Sequence, residues 1–288
     1  MKKKKIWRIV DILNWSTNYL NEKDISDAKT SVEWMLIDVL KCSRMDLYLN
    51  FNKPLTDSEL QQFKSYLLKC ANNEPVQQII GKVDFYGFSF TVDKNVLVPR
   101  PETEILVEEV IKKCKADSEA NLRILDIGSG SGAIAIALAK HLPNVNIDAL
   151  EYSVEAVKIL KKNINFHNLD DRIFIINEDV FKYSPEEQFD VIVSNPPYIS
   201  KAELVKLDKN VKYYEPPMAL TDNSDGLSFY RYFAKIFHNW LKSNGWTALE
   251  IGNGQAIRLK EIFQKYTNVK FIKDYQRDDR VLVFNNMD

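Results

Sequence analysis

Apolar residues recur at helical spacing along the first 73 residues of the chain. Three stripes repeat every three or four positions, and the third follows a capping signal at Thr56 to Glu59. The stripes are Ile6, Ile9, Val10 and Leu13; Val32, Met35, Leu36, Val39 and Leu40; and Leu60, Phe63, Leu67 and Leu68. They predict a helical domain over residues 1–75. Because this stretch carries no ligand-binding motif and precedes a complete α/β pattern, we interpret it as a substrate-recognition domain.

After this domain the apolar period changes from that of helices to that of strands. Residues 79–98 alternate around turn residues, which predicts a β-hairpin connector over residues 76–100. From residue 122 onward, apolar runs alternate with helical patterns, as in the βαβ units of a mostly parallel sheet. The predicted strands are 122–127, 145–150, 173–176, 189–194, 246–251, 269–273 and 280–284, and the predicted helices are 133–139, 154–166, 227–241 and 255–265. The fold class is therefore α/β, with a domain over residues 101–288 that ends in an antiparallel edge hairpin.

A glycine-rich loop follows the first buried strand of this domain. The loop is Gly128-Ser129-Gly130-Ser131-Gly132, and an apolar helix begins directly after it. Alternate glycines let a backbone turn tightly and approach a ligand closely, and ligands of open α/β sheets lie at the carboxyl ends of strands. The loop lacks the Lys-Ser or Lys-Thr of a P-loop and the G-x-G-x-x-G spacing of a dinucleotide site.

Acidic residues follow the next two strands. Glu151 lies about 20 residues beyond the glycine loop, where a carboxylate accepts hydrogen bonds from both hydroxyls of a ribose. Asp179 follows the run 173–176 and is suited to the amino group of an adenine, although a solvated strand end explains it equally well. The combination indicates a nucleoside ligand without a diphosphate.

The tetrapeptide Asn195-Pro196-Pro197-Tyr198 ends the strand 189–194. An Asn oxygen and a backbone carbonyl supply two acceptors for the two N–H donors of a planar NH2 group. The prolines stiffen the turn, and Tyr198 offers a surface for a flat group. A plain turn after a buried strand is the alternative explanation. Together with the glycine loop, the tetrapeptide predicts group transfer to a planar nitrogen.

These residues resemble the class I S-adenosylmethionine-dependent methyltransferases, and the wider pattern resembles one family among them, the peptide chain release factor glutamine methyltransferases. The match covers nearly the whole chain. Its motifs are Glu74 to Gly81, Phe85-Tyr86-Gly87, Val98 to Glu104, Leu125 to Gly132, Ser194 to Ile199, Glu215-Pro216 with Ala219-Leu220, Glu250-Ile251-Gly252 with Gln255, and Asp279-Arg280-Val281. The segment Pro99 to Glu104, placed before the cofactor domain, is more specific than the NPPY tetrapeptide.

The resemblance implies a Rossmann-like domain with a seven-stranded sheet and methylation of the glutamine side-chain amide in the GGQ motif of bacterial release factors. S-adenosylmethionine would be the cofactor and S-adenosylhomocysteine the product. The glycine loop would line the methionine part, Glu151 the ribose, and Asp179 with Val180 the adenine. Asn195 would contact both cofactor and substrate, and the rest of its tetrapeptide would hold the substrate glutamine.

Three positions of this resemblance carry their own expectations. Arg100 is assigned to substrate binding, although Arg100 and Glu102 could equally tie the connector to the domain by salt bridges. The ribose position of the family is more often Asp than the Glu151 of this chain, and a carboxylate is kept either way. Its adenine position often carries an aromatic residue, so Val180 is expected to lose stacking area and to weaken cofactor binding.

Composition narrows the classes of partner. The net charge of −1 over 288 residues lacks the strong basic excess typical of nucleic-acid enzymes, so no stable nucleic-acid partner is expected. The three cysteines and three histidines are scattered without metal-ligand spacing, which predicts no metal. With no long apolar run and no cleavage signal, we expect a cytoplasmic protein without membrane contact. The run Lys2 to Lys5 is interpreted as a solvated tail, with a contact to ribosomal RNA as the alternative.

Two other functions stay open at this stage. Acceptors that hold a carboxamide also hold the exocyclic amine of adenine or cytosine, so a nucleic-acid methyltransferase is the first alternative. The second is a catalytically silent scaffold that binds the cofactor and works through its helical domain. The sequence leaves undecided which release factors are substrates, how they are gripped and whether the chain forms oligomers.

Overall fold

The computed structural model describes residues 6–115 and 121–287. The run Lys2 to Lys5 lies outside these ranges. The chain divides into two compact units: a helical unit of residues 1–81 with 208–214, and a sheet unit of residues 82–207 with 215–288. The sequence predicted one unbroken domain over residues 101–288, whereas residues 208–214 belong to the helical unit.

The element bounds in chain order are as follows. The helices are α1 Ile9–Asn21, α2 Ala28–Leu40, α3 Arg44–Leu49, α4 Asp57–Cys70, α5 Val76–Ile80, α6 Thr103–Lys115, α7 Ala133–His141, α8 Val154–His167, α9 Lys201–Leu204, α10 Lys209–Tyr214, α11 Pro217–Leu220, α12 Ser228–Trp240 and α13 Ala256–Ile262. The strands are β1 Lys82–Phe85, β2 Phe88–Thr91, β3 Leu122–Ile127, β4 Val145–Leu150, β5 Ile173–Ile176, β6 Phe189–Ser194, β7 Leu241–Glu250, β8 Thr267–Lys273 and β9 Asp279–Asn285.

The helical unit packs α1, α2, α4 and α5 around one apolar core. Met35 and Leu36 of α2 are fully buried at its centre. The capping signal forms, because the Thr56 side chain accepts from the backbone N–H of Glu59 at the start of α4. Helix α10 belongs to this unit, since the Tyr214 hydroxyl donates to the carbonyl of Asn72 and Gln78 Nε2 donates to the carbonyl of Tyr214.

A seven-stranded sheet forms the centre of the sheet unit within the described residues. Its strand order is β5-β4-β3-β6-β7-β9-β8. The first five strands in this order run parallel, and β9 pairs antiparallel with both β7 and β8. This confirms the α/β class, the mostly parallel sheet and the antiparallel edge hairpin. Strands β1 and β2 form a separate hairpin.

Apolar layers cover both faces of the sheet. Helices α6, α7 and α8 contribute to the first layer, in which Ile124 of β3 is fully buried. Helices α12 and α13 contribute to the second layer, in which the neighbouring Leu125 is fully buried. Successive side chains of a strand point to opposite faces, so a nearly continuous apolar run is what a doubly covered parallel strand requires.

Strand β7 begins earlier than the sequence predicted. The pattern placed its start at Trp246, whereas the strand starts at Leu241. Residues 242–244 are polar and exposed, and the pairing register with β6 shifts between Phe189 and Val191. An exposed, bulged beginning carries no apolar signal, which explains why the alternation of residues failed to show it.

Candidate active site

The carboxyl ends of four neighbouring strands lie at the same level in the sheet. Ile127 of β3 pairs with Leu150 of β4 and with Ser194 of β6, and Ser194 pairs with Leu249 of β7. The residues that follow are Gly128, Glu151, Asn195 and Glu250. Strand register therefore brings together four motifs that are up to 122 residues apart in sequence.

A cavity of about 480 Å³ opens at this end of the sheet. Its walls include the predicted residues Gly128 to Ser131, Glu151, Asp179, Val180 and Asn195 to Pro197. Gly132, Tyr198 and Arg100 do not line it. The volume falls in the range of about 300–1,000 Å³ that is typical of small-molecule sites.

The glycine loop has a backbone that side chains would disturb. Gly128, Gly130 and Gly132 all have positive φ angles, of 74°, 54° and 83°. At Gly132 an added Cβ would lie 2.6 Å from Cδ1 of Leu160, so this position needs glycine both for its φ and for its packing against α8. Gly132 thus packs closely against α8 and does not line the cavity.

Glu151 is anchored by two backbone donors. Its Oε2 accepts from the N–H of Gly130 and its Oε1 from the N–H of Ser153, both at 2.8 Å. Only 9% of the residue is exposed. Each oxygen of an ionised carboxylate has about two acceptor sites, so both keep acceptor capacity after these bonds. Glu151 can therefore receive two further hydroxyl donors.

Aromatic side chains line the cavity next to Asp179 and Val180. Val180 is buried, and Phe181 is about half exposed. The ring of Phe181 lies 5.2 Å from that of Phe229 on α12, and Phe229 also lines the cavity. Neither ring was among the residues predicted from the sequence. Phe181 could have been found as the neighbour of Val180, whereas no local pattern links Phe229 to this site.

Asn195 presents an oxygen without a donor. Its Nδ2 donates to Oγ1 of Thr103 at 3.2 Å. Among the described residues, no group donates to Asn195 Oδ1 or to the carbonyl oxygen of Pro196. The preceding Ser194 is fully buried and donates from Oγ to the carbonyl of Ile127 at 2.7 Å, which ties the end of β6 to the end of β3.

Tyr198 faces a buried carboxylate. Its hydroxyl donates to Oε1 of Glu250 at 3.1 Å, while Thr103 Oγ1 donates to Oε2 of Glu250 at 2.6 Å. Burial raises the pKa of Glu250 to about 6, against smaller lowering effects of the bonds from Thr103 and Tyr198. Burial also raises the pKa of Tyr198, and the Glu250 charge adds to this. The Tyr198 hydroxyl is thus held as a donor.

Gln255 holds the backbone of the same turn. Its Nε2 donates to the carbonyls of Tyr198 and Gly226, at 3.0 and 3.3 Å, and its Oε1 accepts from the N–H of Gly252. Gly226 has a φ of 79°, and a Cβ there would lie 2.3 Å from the carbonyl oxygen of Tyr198. The end of the tetrapeptide is thus fixed from two sides.

A buried acid adjoins the glycine loop. Asp126 is fully buried, and neither carboxyl oxygen has a hydrogen-bond partner among the described residues. Burial raises the pKa of Asp126 to about 7, against smaller lowering effects from Ser129 and the backbone of Ala135. Such a group favours a cationic neighbour, because positive charge stabilises its ionised form.

Arg100 makes an internal ion pair. Its Nη2 lies 2.5 Å from Oε1 of Glu215, whose side chain is 1% exposed. Burial raises the pKa of Glu215, and Arg100 opposes this shift. The salt-bridge alternative of the sequence analysis therefore describes the contact that Arg100 makes, and the substrate-binding role stays a prediction.

The described residues show neither a metal-binding cluster nor a membrane-spanning helix. Across residues 6–115 and 121–287, no group of three or more His, Cys, Asp or Glu side chains is arranged to hold a metal ion. Over the same ranges, no helix combines the length and the apolar character needed to cross a membrane.

Each of the two units contains residues that match a known family of protein domains. Residues 11–81 match the PrmC N-terminal domain, and residues 101–210 match the methyltransferase small domain. The release factor glutamine methyltransferase of Geobacter sulfurreducens is 38% identical over 92% of this chain and 91% of its own length. That of Chlorobaculum tepidum is 34% identical over 98% of each.

A solved structure supports the fold. The crystal structure of a methyltransferase from Pyrococcus furiosus has a TM-score of 0.53 and 19% identity, over 78% of this chain and 98% of its own. Such identity shows the fold alone. The curated relatives show the family, and this chain belongs to the release factor glutamine methyltransferases.

Proposed function

We propose that this protein transfers a methyl group from S-adenosylmethionine to the side-chain amide nitrogen of the GGQ glutamine in bacterial release factors. The observation that carries the proposal is Asn195 Oδ1, an acceptor to which none of the described residues donates, in the cavity that also contains the glycine loop and Glu151. The names of the relatives in Geobacter sulfurreducens and Chlorobaculum tepidum support this substrate.

The cavity fits S-adenosylmethionine in the chemistry of its donor set. Glu151 would hold the ribose hydroxyls with its spare acceptor sites. Asp179 and Val180 would hold the adenine, with Phe181 and Phe229 as aromatic surfaces. The pairing of an acid for a ribose with aromatic rings for a base favours a nucleoside over a purely aliphatic ligand.

The residues of this chain would act by orientation and by exclusion of water. S-adenosylmethionine supplies an electrophilic methyl group on its sulfonium and leaves as S-adenosylhomocysteine. Asn195 Oδ1 and the Pro196 carbonyl would accept the two N–H donors of the glutamine amide, which aims its lone-pair face. The nitrogen becomes more acidic as it gains the methyl group, so its extra proton can pass to water without a strong base.

The test is methyl transfer from labelled S-adenosylmethionine to a purified release factor. A release factor with the GGQ glutamine replaced is the matched control, and duplex DNA and ribosomal RNA are the competing acceptors. We expect label on that glutamine alone, located by peptide mass spectrometry. Label on nucleic acid would instead establish the amine-methyltransferase alternative, and cofactor binding without any transfer would establish the scaffold alternative.

We expect Phe181→Ala to weaken cofactor binding by about tenfold, because base–aromatic stacking contributes about 1–3 kcal/mol. Phe174 is the control, since it is exposed to a similar extent and does not line the cavity. Calorimetric titration with S-adenosylmethionine measures both. Equal affinity of Phe181→Ala and Phe174→Ala would show that the adenine gains nothing from Phe181.

The helical unit is proposed to recognise the release factor. Trp34 is 37% exposed and borders a surface cavity of this unit together with Asp24, Asn73 and Glu74. Exposed tryptophans that border concave surfaces are frequent centres of protein interfaces. The proposal concerns which unit contacts the protein substrate, and the chemical step stays in the sheet unit.

Trp34→Ser should raise the KM for the release factor by about 10- to 30-fold, because a central interface tryptophan contributes about 2 kcal/mol or more. We expect kcat and the KM for S-adenosylmethionine to stay constant. Ile257→Ser on α13 removes an apolar side chain that is 78% exposed from the sheet unit and serves as the control. Steady-state kinetics that show equal KM values for the two variants would contradict a recognition role for Trp34.

A further inference from the structure

Two residues from the motifs of the chain have no part in the function proposed so far. They are Thr103, from the segment Pro99 to Glu104, and Glu250, from the segment Glu250-Ile251-Gly252. The two side chains are hydrogen-bonded to each other next to Asn195. Thr103 Oγ1 donates to Glu250 Oε2 at 2.6 Å and accepts from Asn195 Nδ2 at 3.2 Å. Thr103 is 4% and Glu250 1% exposed, so water does not replace these bonds.

The order of donors in this chain of bonds is set by the carboxylate. An ionised Glu250 only accepts, so the single hydroxyl hydrogen of Thr103 is committed to it. The lone pairs of Thr103 Oγ1 are then left for Asn195, which must present its NH2 group. The amide oxygen Oδ1 consequently has to face away from Thr103.

We propose that Glu250 and Thr103 are positioning residues that select the amide orientation of Asn195 and so keep Oδ1 available to the substrate NH2 group. This inference rests on the proposed function. In the flipped orientation, Asn195 Oδ1 would meet the lone pairs of Thr103, and Nδ2 would point its own donors at the donors of the substrate. Neither contact is a hydrogen bond, so the flipped amide would hold no glutamine.

Protonation of Glu250 would release this selection. A neutral carboxyl can donate to Thr103, which frees the Thr103 hydroxyl to donate to Oδ1 of a flipped Asn195. Burial raises the pKa of Glu250 to about 6, so this change sets in as the pH falls through about 6. The groups that face Glu250 are the hydroxyls of Thr103 and Tyr198, the charges of Arg280 and Glu102, and the hydroxyl of Tyr230 on its carbonyl.

The first test compares two substitutions of Thr103. Thr103→Val keeps the shape and removes the hydroxyl, and we expect kcat to fall about tenfold while the affinity for S-adenosylmethionine stays constant, which is the size expected for one lost hydrogen bond. Thr103→Ser keeps the hydroxyl and should recover most of that loss. Thr247→Val is the control, because it removes a buried hydroxyl that has no hydrogen-bond partner within residues 6–115 and 121–287.

The second test is the pH profile of kcat. In the wild type we expect a fall through about pH 6 that Thr103→Val and Glu250→Gln both lack. Burial raises the pKa of Asp126 to about 7, and neither substitution changes this residue, so the difference between the profiles isolates Glu250. If Thr103→Val also lowers the melting temperature, the pH profile of kcat in Glu250→Gln still tests the positioning role.

The outcomes separate the two proposals. A wild type that transfers no methyl group to the release factor would overturn the proposed function. A wild type that is active, with Thr103→Val as fast as Thr247→Val and an unchanged pH profile, would overturn the positioning role alone. Low kcat in Thr103→Val, recovery in Thr103→Ser and loss of the step near pH 6 would establish it.

Discussion

Asn195→Ala is expected to lower kcat by about 100- to 1,000-fold, the range found when one preorganised polar group of an active site is removed. The reason is that Asn195 Oδ1 is a fixed acceptor for an N–H of the glutamine amide, and alanine leaves that amide free to rotate. The affinity for S-adenosylmethionine should change much less, since Glu151, Phe181 and Asp179 are unaffected.

The control for this substitution is Asn95→Ala. Asn95 lines the same cavity, but its Nδ2 already donates to Oδ2 of Asp93 at 3.0 Å. Single-turnover methylation and calorimetric titration of the cofactor separate chemistry from binding. A rate for Asn195→Ala close to that of Asn95→Ala would remove the orienting role of Asn195.

Gly226→Ala is expected to abolish most turnover, although Gly226 lies 28 residues beyond Tyr198 in the sequence. A Cβ at Gly226 would lie 2.3 Å from the carbonyl oxygen of Tyr198, and 3.1 Å from Nε2 of Gln255. The obstructing atom is backbone, so the tetrapeptide itself has to move. A misplacement of about 1 Å can cost about 100-fold in rate.

Gly87→Ala separates this collision from the cost of the backbone angle. Gly87 has a φ of 80°, close to the 79° of Gly226, but its added Cβ would have no atom of the described residues within 4 Å apart from its own chain neighbours. Both variants should lose about 1–2 kcal/mol of unfolding free energy from the left-handed angle, and Gly226→Ala should lose more. Urea denaturation and kcat measure the two effects. Equal kcat values in the two variants would show that the Tyr198 carbonyl can move without any loss of turnover.

Much of the sheet could be predicted because its signals are local. The central parallel strands contain apolar stretches such as Ile124-Leu125 of β3, which are buried on both faces of the sheet. The glycine loop and the NPPY tetrapeptide adjoin such runs, and the register of β3, β4 and β6 then brings them together. A strand order that follows the usual rules makes this convergence predictable.

The remaining features depend on contacts between distant residues. Thr103 and Glu250 are 147 positions apart, and their hydrogen bond has no signature in either local segment. Phe229 reaches the cavity from α12, whose stripe predicts a helix but not the ring that contacts Phe181. Helix α10 is too short and too polar for its pattern to indicate the unit to which it belongs.

The membership of α10 in the helical unit has a consequence for fragments of this protein. The chain passes between the units after Gly81, after Leu207 and after Tyr214. A single nick between Gly81 and Lys82 would leave residues 208–214 covalently joined to the larger fragment and hydrogen-bonded to Asn72 and Gln78 of the smaller one. The two fragments would separate on a denaturing gel, whereas under native conditions these hydrogen bonds would oppose their separation.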